Sequence, residues 1–146
     1  MKAMVLKEIS LTEMEPLQMM DLPDPRPGPG EILVEISACG VCHTELDEIE
    51  GRIQPKLPVV LGHEIIGRVA GLGKGVSKFN AGDRVGIAWI NSACGKCRFC
   101  REGNENLCSE FKGTGCDTDG GYAQYTAVSE DFAFPIPERF SDAQAP

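Results

Sequence analysis

Glu31-Ile32-Leu33-Val34-Glu35-Ile36-Ser37-Ala38, running straight into Cys39-Gly40-Val41-Cys42-His43-Thr44, is the stretch on which the fold reading turns. Ile32, Val34 and Ile36 fall on one face, with Glu31, Glu35 and Ser37 among the residues on the other. Such alternation marks a strand with one face buried and one in water. Its end delivers a cysteine, a histidine and a threonine together, so a chemically useful trio is carried on the tip of a rigid element.

Upstream, 1–8 and 15–21 read as short strands that can pair as a hairpin. Between them and the central strand, Pro23-Asp24-Pro25-Arg26-Pro27-Gly28-Pro29-Gly30 precludes both helix and ladder-bonded strand and reads as a rigid connector. Downstream, 44–50 suits one or two helical turns with Gly51 as a stop. Strands are expected over 59–69 and 83–90, punctuated by Gly71-Leu72-Gly73-Lys74-Gly75 and Ala81-Gly82-Asp83, and again over 121–128 and 132–137. About seven short strands, no long amphipathic helix and no internal repeat favour a mainly β fold, a closed or nearly closed barrel.

The bulk numbers agree. The chain has 146 residues, close to the mode for one domain. Its 17 glycines and 10 prolines exceed the usual share of roughly 12% for the pair and are spread along the chain, as many turns require. A net charge of −8 is the wrong sign for a surface that tracks phosphate backbones, so nucleic acid is not an expected partner. The longest apolar runs, 59–61 and 87–90, are far short of the roughly 20 residues of a membrane span, and the N-terminus turns charged before a signal-peptide core forms. No membrane association and a cytoplasmic location are the expectations.

Four of the seven cysteines lie between Cys94 and Cys108, in the pattern Cys-x2-Cys-x2-Cys-x7-Cys. An odd count without a secretory signal argues against a disulfide framework. Thiolates this close wrap a tetrahedral ion at about 2.3 Å per bond, and zinc is the usual choice for such a closed site. Four unconnected thiols would rarely cluster on a Gly-, Lys- and Arg-rich loop. In a bacterial ferredoxin run the fourth Cys follows sooner and precedes Pro, whereas Cys108 precedes Ser109. A structural zinc lobe over about 91–112 is expected. Cys42 and His63 form a second, less complete pair. Converging in space they make two of the three protein ligands of an open catalytic zinc site. From residue types alone, a buried small hydrophobe and a satisfied loop histidine remain the plainer reading.

Gly62-His63-Glu64-Ile65-Ile66-Gly67, with Gly73 and Val76 beyond it, resembles the signature of zinc-dependent alcohol dehydrogenases of the medium-chain dehydrogenase/reductase superfamily. Pro27-Gly28-Pro29-Gly30-Glu31-Ile32-Leu33-Val34, the 39–44 run, Gly82-Asp83-Arg84-Val85 and the four-cysteine segment extend the resemblance, in order, over nearly the whole chain. It implies a GroES-like, partly open β-barrel with short helices. It also implies catalytic zinc ligands at Cys42 and His63 with Glu64 as an alternative ligand, and structural zinc at Cys94, Cys97, Cys100 and Cys108. Thr44 becomes the hydroxyl that hydrogen-bonds the alcohol and passes on its proton, His43 a contact to cofactor phosphates, and Trp89 a substrate-pocket wall. Ordinary core packing is an equal reading of Trp89.

Two departures accompany the match. Glu45 stands where many relatives have the Asp that hydrogen-bonds the zinc-ligating His, which puts that arrangement in doubt. Asp47 stands where some have the His that ends the proton relay; an Asp can still accept a proton. Gly71–Val76 and Gly113–Thr118 each lack the last Gly of Gly-x-Gly-x-x-Gly, so no nucleotide-binding unit is read in these residues and the family's Rossmann domain is expected to be absent from this chain. The expectation is therefore a GroES-like catalytic domain, 1–146, of an enzyme that oxidises an alcohol reversibly to an aldehyde or ketone with NAD or NADP. The full-length enzyme is expected to be a homo-oligomer, and the 146 residues inactive alone, with the catalytic zinc partly occupied or empty. The alternative is a stand-alone, non-catalytic zinc-binding module of the same fold.

Overall fold

The computed structural model describes all residues, Met1–Pro146. Ten short strands and two short helices are present: β1 (Lys2–Leu6), β2 (Leu17–Asp21), β3 (Glu31–Cys39), α1 (His43–Ile49), β4 (Val59–Val60), β5 (Ile65–Leu72), β6 (Arg84–Ile87), β7 (Ile90–Ser92), α2 (Arg98–Arg101), β8 (Lys112–Gly113), β9 (Tyr125–Ser129) and β10 (Ala133–Pro135). No helix is long and apolar enough to cross a membrane.

β3 is the hub of a five-stranded sheet in the order β10-β6-β5-β3-β9, antiparallel at every pairing. The sheet is a curled half-barrel with β10 and β9 as its free edges, in line with the expected partly open barrel. Register shifts between Leu33 and Val34 and between Ile36 and Ala38 interrupt the β3–β5 ladder. Bulges of this kind increase local twist and re-aim the strand end. The alternation read from the sequence decides the core. Ile32 and Val34 are fully buried and pack with Ile65, Val69, Val85, Ile87 and Val128. Each such side chain contributes roughly 1.5–3 kcal/mol by leaving water.

β1 and β2 pair in the register expected of a hairpin, Lys2 opposite Asp21 through Leu6 opposite Leu17, and β4 adds to the other side of β1. A second apolar cluster, Leu6, Ile49, Val59 and Leu61, lies under these strands. Ile49 ties α1 to it, which fixes the angle at which the helix leaves β3.

Two expected strands turn out to be broken. The 59–69 run divides into β4 and β5, which belong to different sheets. Gly62, at φ +98, makes the break: a Cβ there would press on Tyr122 and Cys39. Likewise 83–90 divides into β6 and β7, leaving Ala88 and Trp89 between them, so Trp89 lies in a break and not at the end of one continuous strand. A continuous apolar run conceals such breaks, because hydrophobicity reports burial and not the backbone turn.

Candidate metal centres

β7 and β8 pair to close the base of a loop that carries α2 and the four cysteines. The sulfurs of Cys94, Cys97, Cys100 and Cys108 all lie within 4.8 Å of one another. Cys94 and Cys100 Sγ are 3.9 Å apart, Cys97 and Cys100 Sγ 3.6 Å. Sulfurs at the corners of a tetrahedron with bonds of about 2.3 Å stand about 3.8 Å apart, so the spacing fits zinc. It is far too long for a disulfide, and all seven cysteines are free. Backbone N–H groups already point at these sulfurs: Cys97 N donates to Cys94 Sγ (3.4 Å), Cys100 N to Cys97 Sγ (3.5 Å), and both Cys94 N (3.5 Å) and Glu110 N (3.3 Å) to Cys108 Sγ. Backbone donors, chiefly Lys96 N–H, draw the Cys94 thiol below its ordinary pKa, while burial raises that of Cys100. The four sulfurs become thiolates together only around a cation.

The second group is assembled by the sheet. Cys39 on β3 lies opposite Ile65 on β5, and Gly40 N donates to Glu64 O (2.8 Å). The chain leaving β3 and the chain entering β5 therefore emerge side by side, and Cys42, His63 and Glu64 offer ligand atoms within 4.8 Å of one another. Gly40 is needed for this: a Cβ there would collide with the Glu64 carboxylate. Three backbone bonds steady the approach to His63, from Gly120 N to Val60 O (2.7 Å), Tyr122 N to Leu61 O (2.9 Å) and Gly121 N to Gly62 O (2.8 Å).

Glu45 holds both ligands. Its Oε2 accepts from Cys42 N (2.8 Å) at the first turn of α1, and its Oε1 lies 2.9 Å from His63 Nδ1. The longer glutamate thus reaches the His63 ring. With Nδ1 engaged, Nε2 is the nitrogen left for a metal. The same carboxylate pushes His63 up to about 9. A thiol, an imidazole and a carboxylate are a donor set suited to zinc with an open position.

Thr44 Oγ1 lies 3.5 Å from Cys42 Sγ. With His63 and Glu64 it lines a cavity of about 680 Å³ whose walls are largely apolar, Ile65, Ile87, Phe111 and Phe134 among them. Trp89 also lines it, packs against Phe111 with ring centroids 5.4 Å apart, and is 51% exposed, so it belongs to the cavity and not to the core. His43 and Asp47 do not line this cavity. The His43 side chain is 75% exposed, with Nδ1 3.6 Å from Asp47 Oδ2, and Asp47 also binds Arg52, whose guanidinium holds its carboxyl below the usual range. The cavity also has polar residues that the sequence reading passed over, Glu48, Thr114 and Cys116. Burial pushes Glu48 up to about 7 and the neighbouring Cys116 thiol to about 12. The available signal was spacing, since Glu48 stands four residues after Thr44 on α1 and so shares its face.

Residues 28–138 match the family described as the alcohol dehydrogenase GroES-like domain. The chain belongs to this family. It is 42% identical over 147 residues to an alcohol dehydrogenase of Geobacillus stearothermophilus, covering 99% of this chain and 42% of that protein. It is also 42% identical over 141 residues to an alcohol dehydrogenase of Rhizobium meliloti, covering 95% and 40%. Among solved structures, an NAD-dependent alcohol dehydrogenase superposes with TM-score 0.89 at 35% identity, over 97% of this chain and 41% of that one. A cobalt- and zinc-bound thermostable alcohol dehydrogenase from Pyrobaculum aerophilum gives 0.85 at 31%, over 93% and 41%. The chain spans about two fifths of the length of the relatives it matches. Of the two solved structures named here, one is NAD-dependent and the other binds cobalt and zinc, and both cysteine-containing groups of this chain have donors that could hold zinc.

Proposed function

We infer that this chain is the catalytic domain of a zinc-dependent alcohol dehydrogenase, with a structural zinc at Cys94, Cys97, Cys100 and Cys108 and a catalytic zinc at Cys42 and His63. Glu64 serves as an alternative ligand. The observation that carries this reading is the convergence of Cys42, His63 and Glu64, with Thr44, His63 and Glu64 lining a largely apolar cavity. Zinc held there would lower the pKa of an alcohol's hydroxyl, and NAD or NADP would take the hydride from its carbon. The apolar walls hold the carbon chain of the substrate and keep bulk water from the reacting carbon. Thr44 Oγ1 takes the substrate's hydroxyl proton and releases its own towards solvent. Asp47, paired with Arg52 and His43 away from the cavity, fits the role of orienting His43 towards cofactor phosphates better than that of ending the proton path. Glu45 engages Nδ1 of His63 and so leaves Nε2 aimed at the metal, where a bound zinc would take the place of the Nε2 proton.

The test is alcohol-dependent reduction of NAD or NADP by the polypeptide that carries this chain together with a nucleotide-holding unit. Turnover is expected with zinc and is lost in Cys42→Ala; full turnover in that variant contradicts the assignment. The 146 residues alone are expected to show none, since hydride transfer needs the acceptor ring held against the substrate carbon.

A further inference from the structure

Four buried side-chain polar atoms lack a hydrogen-bond partner: Glu45 Oε1, Glu48 Oε2, Arg84 Nη2 and Thr114 Oγ1. Two of them face an opposite charge at close range, Glu45 Oε1 at 2.9 Å from His63 Nδ1 and Arg84 Nη2 at 2.7 Å from Asp142 Oδ1. Glu48 Oε2 and Thr114 Oγ1 face no such charge, although the Glu48 carboxyl also lies beside the Cys116 thiol. Glu48 and Thr114 line the same cavity as Thr44, His63 and Glu64, and they are 2% and 3% exposed. A buried polar group left unpaired is costly, a carboxylate most of all, so two at one cavity mark a place prepared for a partner.

We propose that Glu48 and Thr114 form a second polar subsite of the cavity that binds a hydroxyl of the substrate other than the reacting one, so that the preferred substrates are diols. A hydroxyl carries one donor and two acceptor positions. It donates to the Glu48 carboxyl oxygen and accepts from the Thr114 hydroxyl, and it adds no net charge to a cavity that Glu64 and Asp117 already line. The spacing follows from α1. Glu48 is four residues beyond Thr44, about one helical pitch of 5.4 Å along the same face. Three or four carbons span that separation between two hydroxyls; the two carbons of a vicinal diol do not. This subsite rests on the alcohol dehydrogenase reading for the reacting hydroxyl at Thr44, but its occupancy can be measured without turnover.

Trp89 is the only tryptophan and lines the cavity, so its fluorescence reports binding to the zinc-loaded 146-residue chain. Butane-1,4-diol is expected to bind at least about tenfold more tightly than butan-1-ol, because the monoalcohol leaves the two polar atoms unpaired. Glu48→Leu removes that preference, Glu48→Gln keeps part of it by supplying an amide oxygen, and Thr114→Val lowers it several-fold. Should Glu48→Leu lose its zinc or its folded signal, Glu48→Gln and Thr114→Val decide the matter alone. Equal affinity for the two alcohols in the wild-type chain overturns the proposal. So does a preference that survives Thr114→Val and both Glu48 variants, which would assign the two atoms to an internal water. Tighter binding of 4-aminobutan-1-ol than of the diol overturns the hydroxyl assignment in favour of an ammonium. If the diol preference stands while the enzyme oxidises no alcohol, only the reading of its activity falls.

Discussion

The two groups of candidate metal ligands are built in opposite ways. Cys94, Cys97, Cys100 and Cys108 come from one fifteen-residue segment, and backbone N–H groups of the same segment point at their sulfurs. Cys42, His63 and Glu64 come from segments some twenty residues apart, brought together by the β3–β5 pairing. A local group needs only its own loop and an ion; a dispersed group inherits its geometry from the whole sheet and is adjusted by neighbours such as Glu45 and Gly40. The first can therefore be tight and closed, and the second precise but open, as the catalytic role proposed for it requires.

The sharpest way to break the contrast is Cys97→Ser. Losing one of four thiolates weakens a site whose metal binding is worth about 10 kcal/mol or more, so the lobe should lose its zinc and the backbone order of residues 91–112, while amide exchange in β3 and β5 stays slow. Melting of the whole sheet in this variant would erase the distinction. Next in size is Cys42→Ala, which should abolish metal uptake at the second group and leave the lobe's zinc and the folded sheet in place, as metal analysis and circular dichroism would report.

A smaller effect separates geometry from ligation. Glu45→Ala keeps every donor atom but frees the His63 ring, and zinc affinity at that group should fall about 10–100-fold with no change at the lobe. A titration that finds unchanged affinity would mean that the sheet alone orients the histidine. The smallest effect is one of pH. Folded, the Glu48 carboxyl holds its proton up to about 7, against 4.5 for the free side chain, so the folded state binds more protons across that interval and stability falls as pH rises from 4.5 to 7. Glu48→Gln should flatten that decline without altering the limb above it, and melting temperatures across the range will tell.

The same local-versus-dispersed contrast explains what could be read from the sequence. The alternation at 31–38 fixed β3 because its period of two is a direct record of one buried face, and the cysteine spacing announced the lobe because all its ligands are adjacent. α2, inside the lobe, escaped because its four residues are shaped by the cysteines and not by any apolar stripe. Cys42 and His63 looked ambiguous as residue types; the collinear resemblance, and not their chemistry alone, singled them out. Glu48 was passed over because nothing in one dimension says that a glutamate on a short helix is buried. Only the packing of α1 through Ile49 turns that face towards the cavity. The strand breaks at Gly62 and Trp89 were hidden for a related reason, since both lie within apolar runs whose hydrophobicity is unchanged by the turn.

Zinc retained per chain after gentle chelation, compared among the wild-type 146-residue chain, Cys42→Ala and Cys97→Ser, tests the division most directly. About one tightly held zinc is expected in the wild type and the same in Cys42→Ala, with almost none in Cys97→Ser and a second wild-type equivalent bound only in excess zinc. Two zinc ions per wild-type chain that survive chelation, or a Cys97→Ser chain that keeps as much metal as the wild type, would contradict the account of one self-contained centre and one that depends on the sheet.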